Sequence, residues 1–373
     1  MGGTGRGWRH PTAAAARAAV GAALAVLVAA CGTAGHGTDA TALSASTQTI
    51  SEAGSSLLYP LAQYWASAYQ RSNPGMIVNT KSTSSGKGIN AASAGTVDIG
   101  ASDAYLSSGD LVKNHKLLNI PVVISAQTVI YNLPSLSPGT HVNLDGQVLA
   151  DIYRGIITSW DAPQIERLNP KLPLPSLPIR PVHRADNSGD TFLFTSYLST
   201  QDQDWDTRIG YGTLAAWPRV TGSVSAGSSN DVVNKCAATP GCVAYNGISF
   251  LSRALNDKLG YASLANRFGK PTLPTTAAAI QAAVTPFVNL TPPNETIAMI
   301  DGPASTGYPI VNYEYAVVSA TQPSAAKASA IRSFLRWALT TGNGSGYLSK
   351  YGFQPLPGTL VALGMRQIAE IGS

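Results

Sequence analysis

This 373-residue sequence contains three short loops rich in serine and glycine, a composition typical of anion-binding loops. Each loop follows a predicted strand and precedes a predicted helix, where free backbone N–H groups and the helix dipole attract negative charge. Ser56, Ser85 and Ser188 are each expected to cap a helix and to present a hydroxyl. Serine is also simply a favoured helix cap, so one such loop alone would predict no ligand. The loops are Gly54-Ser55-Ser56-Leu57, Ser84-Ser85-Gly86 and Asn187-Ser188-Gly189-Asp190.

Arg184 is the candidate cation of this site. It ends an apolar strand four residues before Ser188, and a guanidinium group can donate two parallel hydrogen bonds to one oxyanion. The alternative is a surface arginine that pairs with Asp186. The two roles are compatible, because Asp186 could orient the guanidinium while Arg184 grips a ligand.

Asp103 is a carboxylate in a place that should repel an anion. The conflict disappears if the ligand brings its own proton. Phosphate at neutral pH still carries at least one O–H group, which Asp103 can accept, whereas sulfate carries none. The alternative is that Asp103 caps the turn that follows it.

Helices alternate with strands along the chain, which predicts α/β sheets with helices on both faces. In such sheets ligands bind at the carboxyl ends of the strands, where these loops are expected to lie. A helix that contains Leu57–Tyr69 is predicted to stop at the breaker Ser72-Asn73-Pro74-Gly75. The other predicted strands are Met76–Thr80, Val97–Ala101, Val122–Tyr131, Ile179–His183, Val243–Tyr245 and Tyr308–Val318, and the other predicted helices include Gly146–Arg154, Pro163–Leu168, Ser324–Thr340 and Leu360–Ile371.

The first thirty residues predict an export signal. Three arginines precede an apolar run over residues 18–30 that is short for a membrane span. The run ends at Val28-Ala29-Ala30-Cys31, which resembles a bacterial lipobox in which the cysteine is lipidated; the alternative is an ordinary signal peptide. Residues 31–47 are predicted to form a flexible tether, and no later stretch reaches 18 apolar residues.

Composition and cysteines narrow the class of protein further. A chain of this length, 44% of it hydrophobic, is expected to form two lobes. The formal charge of +5 falls to +2 without the first thirty residues, and no basic cluster suggests nucleic-acid binding. Cys236 and Cys242 predict a local disulfide, because only two thiols and no nearby histidine are available for a metal. No metal and no cofactor are expected.

Seven segments together resemble the PstS family, the phosphate-binding components of ABC-type phosphate importers. The resemblance is strongest to the lipoprotein branch of mycobacteria and other actinobacteria, and it covers nearly all of residues 48–373. The segments are GSSLLYP (54–60), SSGKGI (84–89), DIGASDAYLS (98–107), DIYRGIITSWDAPQIERLNP (151–170), HRADNSGDTFLFTSYLS (183–199), CAATPGCVAYNGISF (236–250) and DGPASTGYPIVNYEYAVV (301–318).

The resemblance implies the two-lobed periplasmic binding protein fold of type II, with the ligand in a cleft between lobes joined by a two-strand hinge. The first lobe would combine residues 48–122 with 307–373, and the second would be residues 128–303. The resemblance also implies high-affinity phosphate binding without catalysis, delivery to permease and ATPase subunits, a monomer, and a lipid anchor on the extracytoplasmic face of the cell membrane.

The resemblance further implies a set of phosphate ligands, in which Leu57 and Asp190 contribute their backbone amides and Ser56 contributes both its hydroxyl and its amide. Many family members have Thr where Asp190 stands, which removes a hydroxyl from the pocket. The actinobacterial branch has Asp there, so the departure raises a question about pH dependence rather than about binding. The implied ligands are Ser56, Leu57, Ser85, Asp103, Arg184, Ser188, Gly189 and Asp190.

Three other functions remain open at this point. A phosphatase-like hydrolase would need a base near Ser188, yet His183 adjoins Arg184 on a strand and should face the opposite side. A binding protein for sulfate, molybdate or tungstate would keep the fold, but Asp103 argues against anions that carry no proton. A surface adhesin or immune-exposed protein is the third.

Overall fold

The structure is a computed structural model that describes residues 47–137 and 139–373. The predicted signal, Cys31 and the tether up to residue 46 lie outside this part of the chain. The strands are β1 Gln48–Gly54, β2 Met76–Ser82, β3 Ile99–Ser102, β4 Leu117–Tyr131, β5 Asn143–Leu144, β6 Arg180–Arg184, β7 Val224–Ala226, β8 Cys242–Gly247, β9 Gly260–Tyr261, β10 Ser263–Ala265, β11 Pro271–Thr272 and β12 Val311–Ser319.

The α-helices are named in chain order, and short 3₁₀ turns adjoin several of them. They are α1 Tyr59–Ser72, α2 Ser85–Ser93, α3 Ser108–Lys113, α4 Gly146–Arg154, α5 Pro163–Leu168, α6 Gly189–Gln201, α7 Gln203–Arg208, α8 Ser229–Ala237, α9 Leu251–Asn256, α10 Ala277–Val284, α11 Ala325–Leu339, α12 Ser345–Leu348 and α13 Gly358–Glu370.

Strand β4 joins two groups of strands into one sheet with the order β2-β1-β3-β12-β4-β8-β6-β7, and β9 also pairs with β4. Its residues 117–126 pair antiparallel with β12, whereas residues 127–131 pair antiparallel with β8. The strands on either flank run parallel to one another, β1 with β2 and β3, and β6 with β7 and β8. Because β4 is buried along almost its whole length, its sequence is a nearly continuous apolar run, as expected for a covered strand.

The chain crosses between the two groups of strands a second time, immediately beside β4. The N–H of Gln127 donates to the carbonyl of Ile310 at 3.0 Å, and the hydroxyl of Tyr308 donates to the carbonyl of Gln127 at 2.6 Å. The outgoing and returning segments are therefore hydrogen-bonded to each other where the sheet changes partners.

Several predicted elements are confirmed within a residue or two. Helices α4 and α5 have the predicted bounds, and α1 ends at Ser72, immediately before Asn73-Pro74. Strand β4 begins five residues earlier than predicted, at Leu117. Helix α8 was not predicted, and it contributes to the site described below.

The predicted disulfide between Cys236 and Cys242 is present. It links α8 to the first residue of β8, and both cysteines are fully buried. Among the helices of the described residues, none combines the length and apolar character that crossing a bilayer requires.

Candidate functional site

Of the three serines expected to cap helices, only Ser188 does so. Its hydroxyl accepts from the N–H of Thr191 at 3.4 Å at the start of α6. The prediction for Ser85 was wrong, because Ser85 is the first residue of α2 and its hydroxyl accepts from the N–H of Asp103 at 3.1 Å. The prediction for Ser56 was also wrong.

Ser55, rather than Ser56, bonds to the turn that leads into α1, whose N-cap is Leu58. The helix starts at Tyr59 after a turn, and the N–H of Leu58 donates to the Ser55 hydroxyl at 3.0 Å. Ser56 can therefore direct its hydroxyl elsewhere, and it lies 2.6 Å from the hydroxyl of Ser229 at the start of α8. The side chain of Leu57, its neighbour, is fully buried, and its carbonyl accepts from Ser249.

The second and third loops touch each other across the site. A Cβ atom on Gly189 would lie 2.4 Å from both the hydroxyl of Ser85 and Oδ2 of Asp103. The N–H of Gly86 donates to the carbonyl of Asn187 at 3.0 Å, and a Cβ on Gly86 would collide with the Asn187 side chain. Glycine is needed at both positions because any side chain there would push the two loops apart.

Arg184 occupies the carboxyl end of β6, and only 2% of its surface is exposed. Its Nε and Nη2 atoms donate to the two oxygens of Asp186, each at 2.6 Å. Its Nη1 atom donates to Oδ2 of Asp190 at 2.9 Å and to the hydroxyl of Ser229 at 3.0 Å. The predicted pairing with Asp186 is present and is bidentate, which fixes the plane of the guanidinium group.

Asp190 is held by donors on both of its carboxylate oxygens. Oδ2 accepts from Ser229 at 2.7 Å as well as from Arg184, and Oδ1 accepts from Nε2 of Gln127 at 3.2 Å. Burial, together with the nearby charge of Asp103, raises the pKa of Asp190 to about 6, although Arg184 acts in the opposite direction. These bonds occupy both oxygens of the Asp190 carboxylate.

Ser229 is a site residue that the sequence reasoning missed. It is the first residue of α8, is fully buried, and bonds to Ser56, Asp190 and Arg184. The sequence contained a signal for the start of α8, because Ser228 and Asp231 have the spacing of a serine and an acid that cap a helix. In the structure the Ser228 hydroxyl accepts from the N–H of Asp231.

Asp103 follows β3, with only 2% of its surface exposed. The Ser55 hydroxyl donates to its Oδ1, and the side-chain amide of Asn312 donates to its backbone carbonyl. Unlike Asp190, Asp103 forms no ion pair among those found in the described part of the chain. Its carboxylate accepts from a neutral donor, the Ser55 hydroxyl.

The structure thus brings residues of all three loops, Asp103 and Arg184 into one buried region at the carboxyl ends of β1, β2, β3 and β6. The serines Ser56, Ser85 and Ser188 each have 3% or less of their surface exposed. Hydroxyls, helix N-termini and one guanidinium favour an anion, while Asp103 adds a hydrogen-bond acceptor. The role of each residue toward a ligand stays a prediction.

Comparison with known proteins agrees with this geometry. Residues 39–341 match a family described as a PBP superfamily domain. The chain is 34% identical over 331 residues to a phosphate-binding protein PstS of Methanocaldococcus jannaschii, covering 83% of this chain and 82% of that protein. It is 29% identical to phosphate-binding protein PstS 3 of Mycobacterium leprae, covering 83% of each.

Solved structures share the fold at low sequence identity. A high-affinity periplasmic phosphate-binding protein (PfluDING) bound with phosphate superposes with a TM-score of 0.69 at 20% identity, covering 87% of this chain and 99% of that one. A phosphate-binding protein from Stenotrophomonas maltophilia gives 0.67 at 20% identity, covering 86% and 93%. The fold is that of a two-lobed periplasmic binding protein, the class of substrate-binding proteins. Within that class, the chain belongs to the PstS family.

Proposed function

We propose that this protein binds inorganic phosphate with high affinity outside the cytoplasmic membrane and delivers it to an ABC-type phosphate permease. The names of its relatives support the ligand, and so does the site. The single observation that carries the proposal is that a buried guanidinium, Arg184, and a buried acceptor carboxylate, Asp103, lie in one region rich in hydroxyls and helix N-termini.

The carboxylate is what favours phosphate over other tetrahedral anions. Asp103 can accept the proton that phosphate retains, so its negative charge forms a hydrogen bond with the ligand. Sulfate, molybdate and tungstate present only lone pairs at neutral pH, which leaves an unmade bond and a repulsion. The proposed ligands are Ser56, Leu57, Ser85, Asp103, Arg184, Ser188, Gly189 and Asp190. Leu57 and Asp190 would contribute their backbone N–H groups rather than their side chains.

We place the ligand between two lobes, residues 48–122 with 307–373 and residues 128–303. The two adjacent crossings at Gln127 and Ile310 would serve as the hinge. The contact of Gly189 with Ser85 and Asp103 would then be a contact between lobes, made when the cleft is closed.

Lipidation of Cys31 after removal of the signal would anchor the protein as a monomer on the extracytoplasmic face of the membrane. Two or more acyl chains give stable anchoring. Permease and ATPase subunits of an ABC transporter would be its partners. Labelling with a palmitate analogue tests the anchor: wild type should be labelled, and Cys31→Ser should be unlabelled and released from the membrane.

A catalytic role finds little support in the site. His183, the histidine nearest in sequence to Ser188, is stacked on Trp217 with ring centroids 5.1 Å apart. Its Nδ1 atom lies 3.3 Å from the carbonyl of Arg184 rather than beside a nucleophile. Incubation with a chromogenic phosphate ester should give no turnover above buffer; turnover would overturn the assignment as a binding protein.

Calorimetric titration of the purified protein tests the ligand directly. We expect phosphate to bind at least about 100-fold more tightly than sulfate, since sulfate loses a charge-assisted bond and leaves Asp103 unpaired. The same titrations under mildly acidic and mildly alkaline conditions measure the pH dependence. Asp206→Asn, which changes an exposed carboxylate on α7, is the control variant and should leave the affinity for both anions unchanged. Equal affinity for the two anions would overturn the proposal.

A further inference from the structure

A third buried carboxyl group lies beside the site, on Glu314 in β12. Its surface is completely inaccessible to solvent. The register between β12 and β4 shifts between Glu314 and Tyr315, and such an irregularity changes the direction of a side chain. Tyr315 pairs with Ser102 at the end of β3. Asp103 is the residue that follows Ser102, so Glu314 lies alongside Asp103.

The two oxygens of Glu314 have different surroundings. Oε1 accepts a hydrogen bond of 2.5 Å from the hydroxyl of Ser125 on β4. Oε2 is buried and accepts no hydrogen bond from a donor among the described residues. The Asp103 carboxyl is within hydrogen-bonding reach of Glu314. Two carboxyl groups can share such a contact only if one of them carries a proton.

The charged and titratable groups that face Glu314 favour a proton on Glu314 itself. They are Asp103 after β3, Asp190 at the start of α6 and Tyr315 on β12. Burial, followed by the charge of Asp103 and the bond to it, raises the pKa of Glu314 well above its ordinary range. The guanidinium of Arg184 forms its ion pairs with Asp186 and Asp190 rather than with Glu314.

We propose that Glu314 is a positioning residue for Asp103: its neutral carboxyl donates a hydrogen bond from Oε2 to the Asp103 carboxylate. Asp103 then receives hydrogen bonds from Glu314 and Ser55, stays ionised, and can only accept from a ligand. The inference rests on the proposed function, because it explains how Asp103 keeps the form that distinguishes phosphate from sulfate.

Removing the donor has a specific consequence for selectivity. Without it, the buried Asp103 carboxylate loses a hydrogen bond that favours its anionic form over its protonated form. A protonated Asp103 can donate a hydrogen bond, which an oxygen of sulfate can accept. Phosphate selectivity should therefore decline as the solution becomes acidic, whereas a general loss of structure would weaken both anions alike.

Two variants separate donation from packing. Glu314→Gln keeps a donor toward Asp103 and an acceptor for Ser125, whereas Glu314→Met has a similar size and neither. Glu52→Gln is the matched control, since Glu52 is buried on β1 in a small cavity lined mostly by apolar side chains. The readout is calorimetric affinity for phosphate and for sulfate in mildly acidic and mildly alkaline buffer.

We expect Glu314→Gln and Glu52→Gln to keep wild-type phosphate affinity within about threefold, with a selectivity that does not change with pH. Glu314→Met should lose about tenfold or more in phosphate affinity, the size of one hydrogen bond to a charged group. Its phosphate-to-sulfate ratio should fall further in acid. Wild-type selectivity in Glu314→Met, a parallel loss for both anions, or an equal loss in Glu314→Gln would each overturn the inference.

An infrared difference spectrum keeps the inference testable even if phosphate is not the ligand. Wild type minus Glu314→Gln at neutral pH should show the C=O stretch of one neutral carboxylic acid. A difference that contains only carboxylate bands would overturn the inference. If wild type binds no phosphate while that neutral-acid band is present, only the proposed function fails.

Discussion

Asp103 and Asp190 belong to the same buried region, are both at least 98% buried and lie close enough to interact electrostatically, yet their partners differ in kind. Asp190 accepts from a guanidinium, a hydroxyl and a side-chain amide. Asp103 accepts from a hydroxyl and lies against the carboxyl of Glu314. One acid belongs to the cationic clamp around Arg184, whereas the other has only uncharged support.

The difference shows how a pocket for an anion can contain acids. An acid that is paired and fully hydrogen-bonded has its charge compensated before a ligand arrives. An acid without a counter-ion can form a favourable contact only with a ligand that donates. Each prediction below changes one side of this comparison, and they run from the largest expected effect on binding to the smallest.

Replacing Arg184 by Met should cause the largest loss. The ligand would lose a buried cation and the one N–H of Arg184 that Asp186, Asp190 and Ser229 leave free, which corresponds to a fall in phosphate affinity of about 100-fold. Asp186 and Asp190 would also lose their partner, and breaking a buried ion pair costs about 3–5 kcal/mol of stability. Calorimetry and thermal unfolding measure the two effects.

The double variant Arg184→Met/Asp190→Asn distinguishes the two roles of the arginine. Removing the carboxylate that was left unpaired should recover part of the lost stability but none of the phosphate affinity. Recovery of affinity together with stability would show that Arg184 matters only for folding, and the comparison would lose its cationic side.

Replacing Asp103 by Asn should change selectivity more than overall affinity. The amide can donate to an unprotonated oxygen, so sulfate should bind more tightly, while phosphate loses about tenfold through the weaker bond. The ratio of the two affinities measured by calorimetry is the quantity to compare with Asp206→Asn. An unchanged ratio would remove the proton-accepting role of Asp103.

The sequence predicted the loops of this site better than the bonds within them. Gly/Ser composition after a strand locates a loop, because backbone conformation depends on nearby residues. Whether Ser55 or Ser56 bonds to the backbone depends on the turn that precedes α1, which the composition does not determine. The prediction that Ser188 caps a helix was confirmed, and its loop leads directly into α6.

Contacts between distant segments could not be derived from local patterns. Ser229 bonds to Ser56, 173 residues away, and nothing in either segment specifies that pairing. Glu314 lies in a strand that is apolar at most positions, so the sequence pattern indicates only that this residue is in the interior and not what it contacts. The disulfide was predictable because Cys236 and Cys242 are six residues apart and few alternatives exist.

Replacing Asp190 by Asn should have the smallest effect on binding and a visible effect on the pH dependence of stability. The phosphate-to-sulfate ratio should stay within about threefold of wild type, because Arg184 and Ser229, rather than the ligand, use the Asp190 oxygens.

The pKa of Asp190 is raised to about 6, above the value of about 3.9 for an unfolded chain. The native state therefore binds the extra proton, and this contribution to stability is complete below about pH 4 and is lost as the pH rises through about 6. Thermal unfolding across that window should show a shallower decline for Asp190→Asn than for wild type. A ratio that collapses as in Asp103→Asn would mean that both acids test the ligand for its proton, and the distinction between them would be wrong.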